Sequence, residues 1–292
     1  MEFWNSRVCI IDEEETMYGA ILGDMIGSPY EFDQGDKTKE FELFNKRKWI
    51  RYTDDTAMTI AIARAVMIVG INGDESTMKY AFVKAMQDIG ARHAQGEYGG
   101  RFAEWLRSNN PQPYGSWGNG SAMRVSSLGW FFDSIERTRE VARWSAEVTH
   151  NHPEGIKGAE SVASAIYLLR NGKGKEEVKK YIVDEFGYDL SRTCDEIRPN
   201  YHHVESCQET VPEALIAFLE GSDFEDSIRN AVSLGGDCDT LTCITGSLAE
   251  AFFGVPDWLK QECINRLPDE FVEIIDQFYA ARMVKVWQVT TC

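Results

Sequence analysis

Tyr52-Thr53-Asp54-Asp55-Thr56-Ala57-Met58-Thr59 places two adjacent carboxylates at the start of a long apolar run. The run continues to Val69 and stops at Gly70, which predicts a buried helix over roughly 55–69. Thr53 or Asp54 then forms the N-cap, where a side-chain oxygen accepts hydrogen bonds from free backbone N–H groups. Because successive helical residues point about 100° apart, Asp54 and Asp55 cannot both cap the helix. At least one of these carboxylates must face another partner.

A second cluster of acids and hydroxyls lies far downstream, at Gly235-Gly236-Asp237-Cys238-Asp239-Thr240-Leu241-Thr242. It too precedes an apolar helical segment, 241–253, which a glycine and a proline close. A hard cation such as Mg²⁺ prefers oxygen ligands, and two metals about 3.5–4 Å apart can share a bridging carboxylate. Helix capping alone would explain an isolated Thr-Asp-Asp, but the two clusters together favour a metal site that both helix starts form.

The composition restricts the kinds of partner. The chain has 292 residues, of which 43% are hydrophobic and 12% aromatic, enough for a sizeable core. Its net charge of −17 argues against a general nucleic-acid surface, because Lys and Arg carry phosphate binding. That charge still permits one anionic ligand that backbone N–H groups and metal hold locally.

Cysteine usage and the N-terminal segment indicate a reduced compartment. Seven cysteines are an odd number with no Cys-x-x-Cys, so neither a zinc knuckle nor a disulfide framework is indicated. The N-terminus leads into an acidic run at 12–15, and no stretch of about 20 apolar residues occurs. We therefore expect a soluble cytoplasmic protein with no signal peptide and no membrane contact.

Apolar periodicity predicts helices along most of the chain, because no long stretch alternates with a period of two and no strand–helix alternation occurs. The expected fold is all-α and consists of one domain over 1–292, with 1–16 as an N-terminal extension. Residues 33–51 and 187–210 are expected to be irregular. The predicted helices cover 17–26, 55–69, 76–89, 101–107, 122–132, 138–148, 153–169, 173–186, 212–219, 224–233, 241–253, 258–266 and 270–286.

Two features of the first predicted helix and its end concern packing and chemistry. Gly19, Gly23 and Gly27 recur every fourth residue, a spacing that puts small residues on one face and suits close contact with another helix. Glu31 follows between two aromatic residues. It is either an ordinary loop acid, which is the commoner case, or a carboxylate in a partly apolar pocket.

The most unusual loop is Pro111-Gln112-Pro113-Tyr114-Gly115-Ser116-Trp117-Gly118-Asn119-Gly120-Ser121. Its glycines can expose successive N–H groups before the predicted helix 122–132, which is the physical basis of a phosphate site at a helix N-terminus. A glycine-punctuated connector explains the pattern equally well, because no Walker motif or G-x-G-x-x-G is present. His150 and His152 lack a third ligand nearby, so at least one of them is expected to form a local hydrogen bond instead.

Three other classes of phosphate- or metal-binding protein match the sequence less well. An EF-hand that begins at Asp237 would need Gly and Glu where Thr242 and Leu248 stand. A phosphatase with an aspartyl nucleophile needs a buried strand before the acid, but a helix is predicted there. An all-α magnesium-dependent diphosphate enzyme of the terpene type needs Asp-Asp-x-x-Asp, and Met58 occupies the last position. That enzyme class stays as the lesser alternative.

Five motifs occur together in one order: Gly19-Ala20-Ile21-Leu22-Gly23-Asp24 through Glu31, Thr53-Asp54-Asp55-Thr56, Gly118-Asn119-Gly120-Ser121-Ala122-Met123-Arg124, Thr149-His150 and Gly236-Asp237-Cys238-Asp239-Thr240. In this order they resemble the ADP-ribosylglycohydrolase family, which includes dinitrogenase reductase-activating glycohydrolase. The resemblance covers about residues 17–254. It implies a compact all-α fold with two Mg²⁺ ions, or Mn²⁺ in their place.

The resemblance also implies roles for individual residues. One ion would be held by Thr53, Asp54, Asp55 and Asp239, and the other by Asp237, Asp239 and Thr240, with Asp239 as the bridge. Glu31 would act as general base or position the water, and Asp54 and Asp55 would share in catalysis. Trp117 would lie against the adenosine, and His150 would reach the phosphate or the distal ribose. The loop that cradles the diphosphate would contribute Gly115, Ser116, Trp117, Gly118, Asn119, Gly120, Ser121 and Met123.

The implied function is a dimetal hydrolase that releases ADP-ribose from an ADP-ribosylated protein or another ADP-ribosyl conjugate. The ions would hold the distal ribose while water, assisted by Glu31, attacks its anomeric carbon and the N- or O-glycosidic bond breaks. Arginine-specific members use a catalytic aspartate before the Gly-rich loop, and the acids considered for that role here, Asp88 and Glu97, do not clearly match it. Arginine, serine, base and small-molecule linkages therefore stay open. A catalytically silent ADP-ribose-binding protein is the alternative, although the intact acids favour an enzyme.

Overall fold

The computed structural model describes residues 17–34, 36–94 and 97–290, with side chains described up to residue 282. Within these residues the secondary structure is helical and no β-strand occurs, which confirms the all-α prediction. The segment 1–16, predicted to be an N-terminal extension, lies outside the described residues.

The helices follow one another with short connections. They are α1 (Tyr18–Gly27), α2 (Asp54–Val69), α3 (Glu75–Arg92), α4 (Gly100–Arg107), α5 (Gly120–Met123), α6 (Ser126–Phe131), α7 (Ile135–Glu147), α8 (Pro153–Arg170), α9 (Lys175–Phe186), α10 (Cys194–Ile197), α11 (Cys207–Glu220), α12 (Phe224–Leu234), α13 (Cys238–Phe253), α14 (Asp257–Ile264) and α15 (Asp269–Thr290). A single 3₁₀ turn, Ser28–Tyr30, follows α1.

The backbones of α1 and α13 lie in direct contact. A Cβ on Gly23 would lie 2.5 Å from the carbonyl carbon of Thr242, closer than any real side chain approaches. A Cβ on Gly27 would lie 2.7 Å from the Cα of Asp239. The close helix contact predicted from the glycine spacing is thus confirmed. The two helices are antiparallel, so the end of α1 lies beside the start of α13.

The opposite end of this helix pair is joined by hydrogen bonds. The Glu250 carboxylate of α13 accepts hydrogen bonds from the backbone N–H groups of Tyr18 and Gly19, at 3.1 and 3.0 Å. These are first-turn amides of α1, which have no partner within their own helix. The cap and the glycine contacts together set the register of the two helices.

The helix α13 forms the centre of the core. Every residue from Cys238 to Ala251 is buried, as expected for a helix that is covered by neighbours on all sides. Helices α1, α8, α11 and α12 pack around it. The polar start of α13 is therefore buried as well, which requires partners for its acids.

Two predicted helices differ most from the structure. The predicted helix 122–132 is divided into α5 and α6 at Arg124 and Val125, whose ψ angles are −1° and 3°. The Arg124 guanidinium is anchored outside its own helix, on the carbonyl oxygen of Ser145 at 2.6 Å, and this tertiary bond accompanies the break. Helix α11 begins at Cys207 rather than at Pro212, which lies inside it.

The segment 187–210, expected to be irregular, is partly helical. It contains α10, whose start is closed by a capping box between Thr193 and Glu196. None of the helices in the described part of the chain combines the length and apolarity that a bilayer crossing requires.

Candidate metal and substrate site

A cleft of about 400 Å³ opens where the end of α1 meets the starts of α2, α5 and α13. Acids and a hydroxyl from three distant segments line it: Glu31, Asp54, Asp55, Asp237, Asp239 and Thr240. The Gly-rich loop and the segment before α8 contribute Ser116, Gly118, Asn119, Gly120, Met123 and His150. All predicted metal residues except Thr53, and five of the eight predicted loop residues, therefore share one cavity.

Asp24 of α1 holds the start of α2. Its carboxylate accepts hydrogen bonds from the backbone N–H groups of Thr53 and Thr56, at 2.9 and 3.1 Å, and from both threonine hydroxyls. Because α1 also lies against α13, this buried carboxylate determines where the acids of α2 stand relative to those of α13. No role was assigned to Asp24 from the sequence. The sequence feature that could have indicated this role is the presence of an aspartate within an otherwise apolar helix.

Two groups of three carboxylates share Asp239. Oxygen atoms of Asp24, Asp55 and Asp239 lie within 4.8 Å of one another, and the same is true of Glu31, Asp237 and Asp239. All of these residues are buried except Glu31, which is half-buried. Asp55 Oδ1 is buried and has no hydrogen-bond partner among the described residues. A buried charged oxygen without a donor is costly unless a cation faces it, so the donor set fits hard divalent metals.

The other predicted metal ligands, Thr240, Asp54 and Thr53, differ in their position relative to the two groups of carboxylates. Thr240 lines the cleft, and its hydroxyl donates to Asp55 at 3.3 Å. Asp54 also lines the cleft but belongs to neither group of three carboxylates found among the described residues. Thr53 is buried behind the acids as the N-cap of α2, and its hydroxyl donates to Asp24 at 2.8 Å. Thr53 therefore orients the neighbouring acids.

Burial and mutual repulsion raise the pKa of the clustered carboxyl groups. Burial raises the pKa of Asp24 to about 6 and that of Asp237 to about 7. Burial, with the charge of Asp239 next in importance, raises the pKa of Glu31 to about 8. Burial first, and neighbouring carboxylates second, raise the pKa of three more acids well above the ordinary value: Asp54, Asp55 and Asp239. A bound cation would relieve this repulsion.

We expect the metal-free protein to lose stability as the pH rises from about 4 to about 8. Carboxyl groups whose pKa is raised by folding stabilise the folded state fully below their unfolded pKa of about 4. This contribution disappears as the pH passes the folded pKa values of about 6, 7 and 8. In EDTA, the melting temperature should therefore be lower at mildly alkaline than at mildly acidic pH, and Mg²⁺ should restore it mainly at alkaline pH. The Asp55→Asn variant should show a smaller pH effect, and a metal-independent melting temperature at alkaline pH would contradict the site.

The Gly-rich loop is held in place by the segment before α11. The Asn119 backbone N–H donates to the Glu205 carbonyl oxygen at 2.8 Å, and the Cys207 N–H donates to that of Trp117 at 3.0 Å. The Asn119 side-chain amide donates to the Asp237 carboxylate at 2.6 Å. The loop is therefore tied directly to the acid cluster, which a simple connector between helices would not require.

His150 lies against the glycines of this loop. A Cβ on Gly118 or Gly120 would lie 3.4 or 3.3 Å from His150 Nε2, so the absence of side chains leaves room beside the imidazole. Its Nδ1 is hydrogen-bonded to the Thr149 hydroxyl at 2.7 Å. Burial, and next the positive charge of Arg124, lower the pKa of His150 well below its ordinary value. The imidazole is therefore neutral at neutral pH and can offer a hydrogen bond but no charge.

Three predicted loop contacts do not line the cleft. The Gly115 N–H donates to the Asn151 side chain at 2.7 Å, and the buried Ser121 hydroxyl donates to the Gly155 carbonyl oxygen at 2.8 Å. Trp117 is 51% exposed, and its ring centroid lies 5.5 Å from that of His152. Their neighbours Ser116, Gly118, Asn119 and Gly120 line the cleft instead.

Asp88 and Glu97, the two acids considered before the Gly-rich loop, lie in different places in the structure. Glu97 lines the cleft at its rim, where it forms a salt bridge of 3.0 Å with Arg51. Asp88 is paired with Arg64 and Arg92 on the outer surface. Sequence reasoning left both acids open, and the structure brings Glu97 alone of the two to the cleft. The cleft also has lining residues to which no role was assigned beforehand: Phe32, Tyr98, Gly99, Gly100, Arg101, Phe102, Tyr114, Arg124 and Glu205.

The chain is similar to known proteins over most of its length. The family model described as ADP-ribosylglycohydrolase matches residues 14–289. ADP-ribosylhydrolase ARH3 of Homo sapiens is 25% identical to this chain in an alignment that covers 84% of this chain and 87% of the relative. ADP-ribosylarginine hydrolase Tri1 of Pseudomonas putida (strain GB-1) is 25% identical in an alignment that covers 88% of this chain and 77% of the relative.

A solved structure described as an ADP-ribosylglycohydrolase-related protein complex shares the fold, with a TM-score of 0.67 and 21% identity. The superposition covers 93% of this chain and 96% of that one. The family match extends over nearly the whole chain and includes every acid of the cleft. This chain therefore belongs to the ADP-ribosylglycohydrolase family.

Proposed function

We propose that this protein hydrolyses the glycosidic bond that joins ADP-ribose to an acceptor, using two divalent metal ions in the acid cluster. The observation that carries the proposal is that Asp239 belongs to both groups of three carboxylates in a cleft that the Gly-rich loop also lines. The printed names of the two relatives, an ADP-ribosylhydrolase and an ADP-ribosylarginine hydrolase, support the same class of reaction.

The ions would be Mg²⁺, or Mn²⁺ in its place, held by carboxylates that the fold already brings together. Asp55 and Asp239 would hold one ion, with Asp24 behind them, and Glu31, Asp237 and Asp239 would surround the other. Asp54 and Thr240 add oxygen atoms at the wall of the cleft. When bound, such ions supply positive charge that binds the ribose hydroxyls and offsets the charge of the diphosphate.

Glu31 is the proposed proton acceptor. It reaches the cleft from the end of α1 and is less buried than the other acids of its group, so water has access to it. Its pKa of about 8 in the metal-free protein keeps it mostly protonated at neutral pH, and bound cations would lower that pKa so that the carboxylate can accept a proton. In the proposed reaction Glu31 takes a proton from the water whose oxygen bonds to the anomeric carbon. The glycosidic bond breaks through an oxocarbenium-like transition state, and the acceptor leaves with the electron pair and takes up that proton.

The loop would bind the middle of the substrate. Gly118 and Gly120 allow close approach of a diphosphate to the backbone, and the neutral His150 beside them can form a hydrogen bond to a phosphate oxygen or to ribose. Asn119 joins the two halves of the cleft through its hydrogen bond to Asp237. These residues would thus set the distance between the diphosphate and the reacting carbon.

The first test is calorimetric titration of ADP-ribose into the protein, with Mg²⁺ and again in EDTA. We expect tight binding with metal and weaker binding without it. Absence of binding under both conditions would overturn the proposal and favour the all-α diphosphate alternative.

The second test is release of ADP-ribose from arginine-linked and serine-linked substrates, followed by chromatography. Wild-type protein with Mg²⁺ should cleave at least one linkage, and Glu31→Gln should lower kcat by about 10²- to 10⁴-fold, the range expected for loss of a general base. Glu104→Gln, on an exposed acid of α4 outside the cleft, is the control and should retain activity. Binding of ADP-ribose without cleavage of any linkage would indicate a binding protein instead.

A further inference from the structure

The cleft contains aromatic rings and arginines as well as carboxylates. Tyr114 and His150 line it with ring centroids 5.7 Å apart, while five of its acids, Glu31, Asp54, Asp55, Asp237 and Asp239, come from the segments where α1, α2 and α13 meet. Two arginines accompany these rings. The Arg101 guanidinium lies 4.8 Å from the centre of the Tyr114 ring, and Arg124 donates to the hydroxyl of Thr149, the residue beside His150.

Arg124 is a buried positive charge with neutral partners. It is 1% exposed, and its hydrogen bonds go to the Ser145 carbonyl oxygen at 2.6 Å and the Thr149 hydroxyl at 2.8 Å. Its Nε has no hydrogen-bond partner among the described residues. Burial lowers its pKa to about 10, so the guanidinium stays charged at neutral pH. A buried charge without a counter-ion attracts an anion strongly, because little water screens it.

Arg101 is the accessible member of the pair. It lies in the first turn of α4, is exposed, and lines the cleft. It donates one hydrogen bond to the Tyr114 carbonyl oxygen and packs its guanidinium over the Tyr114 ring. A guanidinium has five N–H donors, so this anchoring leaves others for a ligand in the cleft. Stacking on the ring also limits the rotamers of Arg101 before any ligand binds.

We propose that Arg101 binds the diphosphate of the substrate directly, while Arg124 supports that site as a buried positive charge behind the loop. This inference rests on the proposed function and names the residues that select the anionic part of the same substrate. Charge-assisted hydrogen bonds to phosphate are among the strongest, and a planar guanidinium matches two phosphate oxygens. In a protein of net charge −17, a local cationic group adds to the attraction that metal ions and backbone N–H groups offer an anion.

Calorimetric titration in Mg²⁺ should compare wild-type protein with Arg101→Gln and Arg101→Lys, using ADP-ribose, ADP and AMP as probes. We expect Arg101→Gln to weaken ADP-ribose binding about tenfold, as for loss of one charge-assisted hydrogen bond at a partly exposed site. The loss should be smaller for AMP, and Arg101→Lys should recover part of it. Arg107→Gln is the matched control, because Arg107 is an exposed arginine of the same helix outside the cleft.

The salt dependence of ADP-ribose affinity distinguishes a charge contribution of Arg101 from a purely structural role, which would leave that dependence unchanged. Wild-type affinity for ADP-ribose should fall as salt screens the arginine charge, and the fall should be smaller in Arg101→Gln. Equal affinity and equal salt dependence in wild type and Arg101→Gln would overturn the inference while leaving the proposed function intact. Failure of the wild-type protein to bind ADP-ribose at all would instead overturn the proposed function.

The contribution of Arg124 is tested by Arg124→Met and Arg124→Lys. We expect Arg124→Met to weaken ADP-ribose binding and Arg124→Lys to retain more of it. Arg170→Met is the control, because Arg170 is half-buried and also donates to carbonyl oxygens, those of Gly129 and Phe132, away from the cleft. If Arg124→Met does not fold, the Arg101 variants still decide the proposal.

Discussion

Asp239→Asn should abolish turnover and leave the metal-free protein at least as stable as the wild type. Asp239 belongs to both groups of carboxylates, so its loss removes an oxygen ligand from each proposed ion. We expect kcat to fall by about 10³-fold or more, equivalent to about 4 kcal/mol of activation free energy. Asparagine keeps the size of the side chain and removes one of several charges that repel each other in the buried cluster.

The measurement has two parts. Release of ADP-ribose gives the loss of activity, and melting curves with EDTA or Mg²⁺ give the effect on metal binding. In Asp239→Asn the rise in melting temperature on adding Mg²⁺ should be largely lost, while the melting temperature in EDTA at mildly alkaline pH should equal or exceed that of wild type.

Asp257→Asn provides the matched control, because Asp257 is also an acid in the first turn of a helix but is exposed. It should leave turnover and the metal effect unchanged. If Asp239→Asn instead lowers the melting temperature in EDTA, Asp239 has a structural role. Retained activity together with a retained metal effect would exclude it as the shared ligand.

Gly23→Ala should destabilise the protein by about 3 kcal/mol, at the upper end for overpacking of a core. The added Cβ would lie 2.5 Å from the Thr242 carbonyl carbon and 2.7 Å from the Cys243 nitrogen. Both are backbone atoms within a buried helix, so no flexible side chain can move aside. The helix α1 would have to shift away from α13 and lose contact along its glycine face.

Chemical denaturation, with the unfolding free energy extrapolated to water, measures this effect. Gly100→Ala is the control, because a Cβ at this helical position meets nothing within 4 Å. Alanine there should leave the unfolding free energy unchanged or raise it slightly. A stability loss below about 1 kcal/mol in Gly23→Ala would show that α1 adjusts easily. The contact would then not be what positions Asp24 and Glu31.

Much of the helical structure follows from local sequence. The apolar run after Asp54 predicts α2 within one residue of its observed start, and Gly70, with a φ of +79°, ends it where few other residues can adopt that conformation. The glycines of α1 likewise predict a close helix contact without showing which helix they meet. Such features depend on neighbours within a few residues, and these are visible in one sequence.

The family and the acid cluster were predicted from the sequence motifs rather than from hydrophobic periodicity. Thr53-Asp54-Asp55 and Asp237-Cys238-Asp239 are separated by more than half of the chain, yet each opens an apolar helix in the same way. That repetition of chemistry at two helix starts is what favoured one shared metal site over two ordinary caps. The match to the family supports the same conclusion.

Other features depend on contacts between residues far apart in the chain. Asp24 reads as one polar residue in an apolar helix, and its role as the anchor of α2 depends on Thr53 and Thr56. Similarly, Arg124 divides a predicted helix where its side chain is bonded to Ser145 and Thr149. Local propensity could not predict either result, because each partner lies more than twenty residues away.

The sequence by itself determined the all-α class, most of the helices, the acids that open two of them and the family to which the chain belongs. The tertiary structure alone decided that Asp239 joins both carboxylate groups, that Glu97 rather than Asp88 reaches the cleft, and that Trp117 does not line it. The physical reason is the range of the forces involved. Backbone hydrogen bonding and apolar periodicity act within one helix, whereas burial, charge repulsion and exposure depend on how several helices pack together.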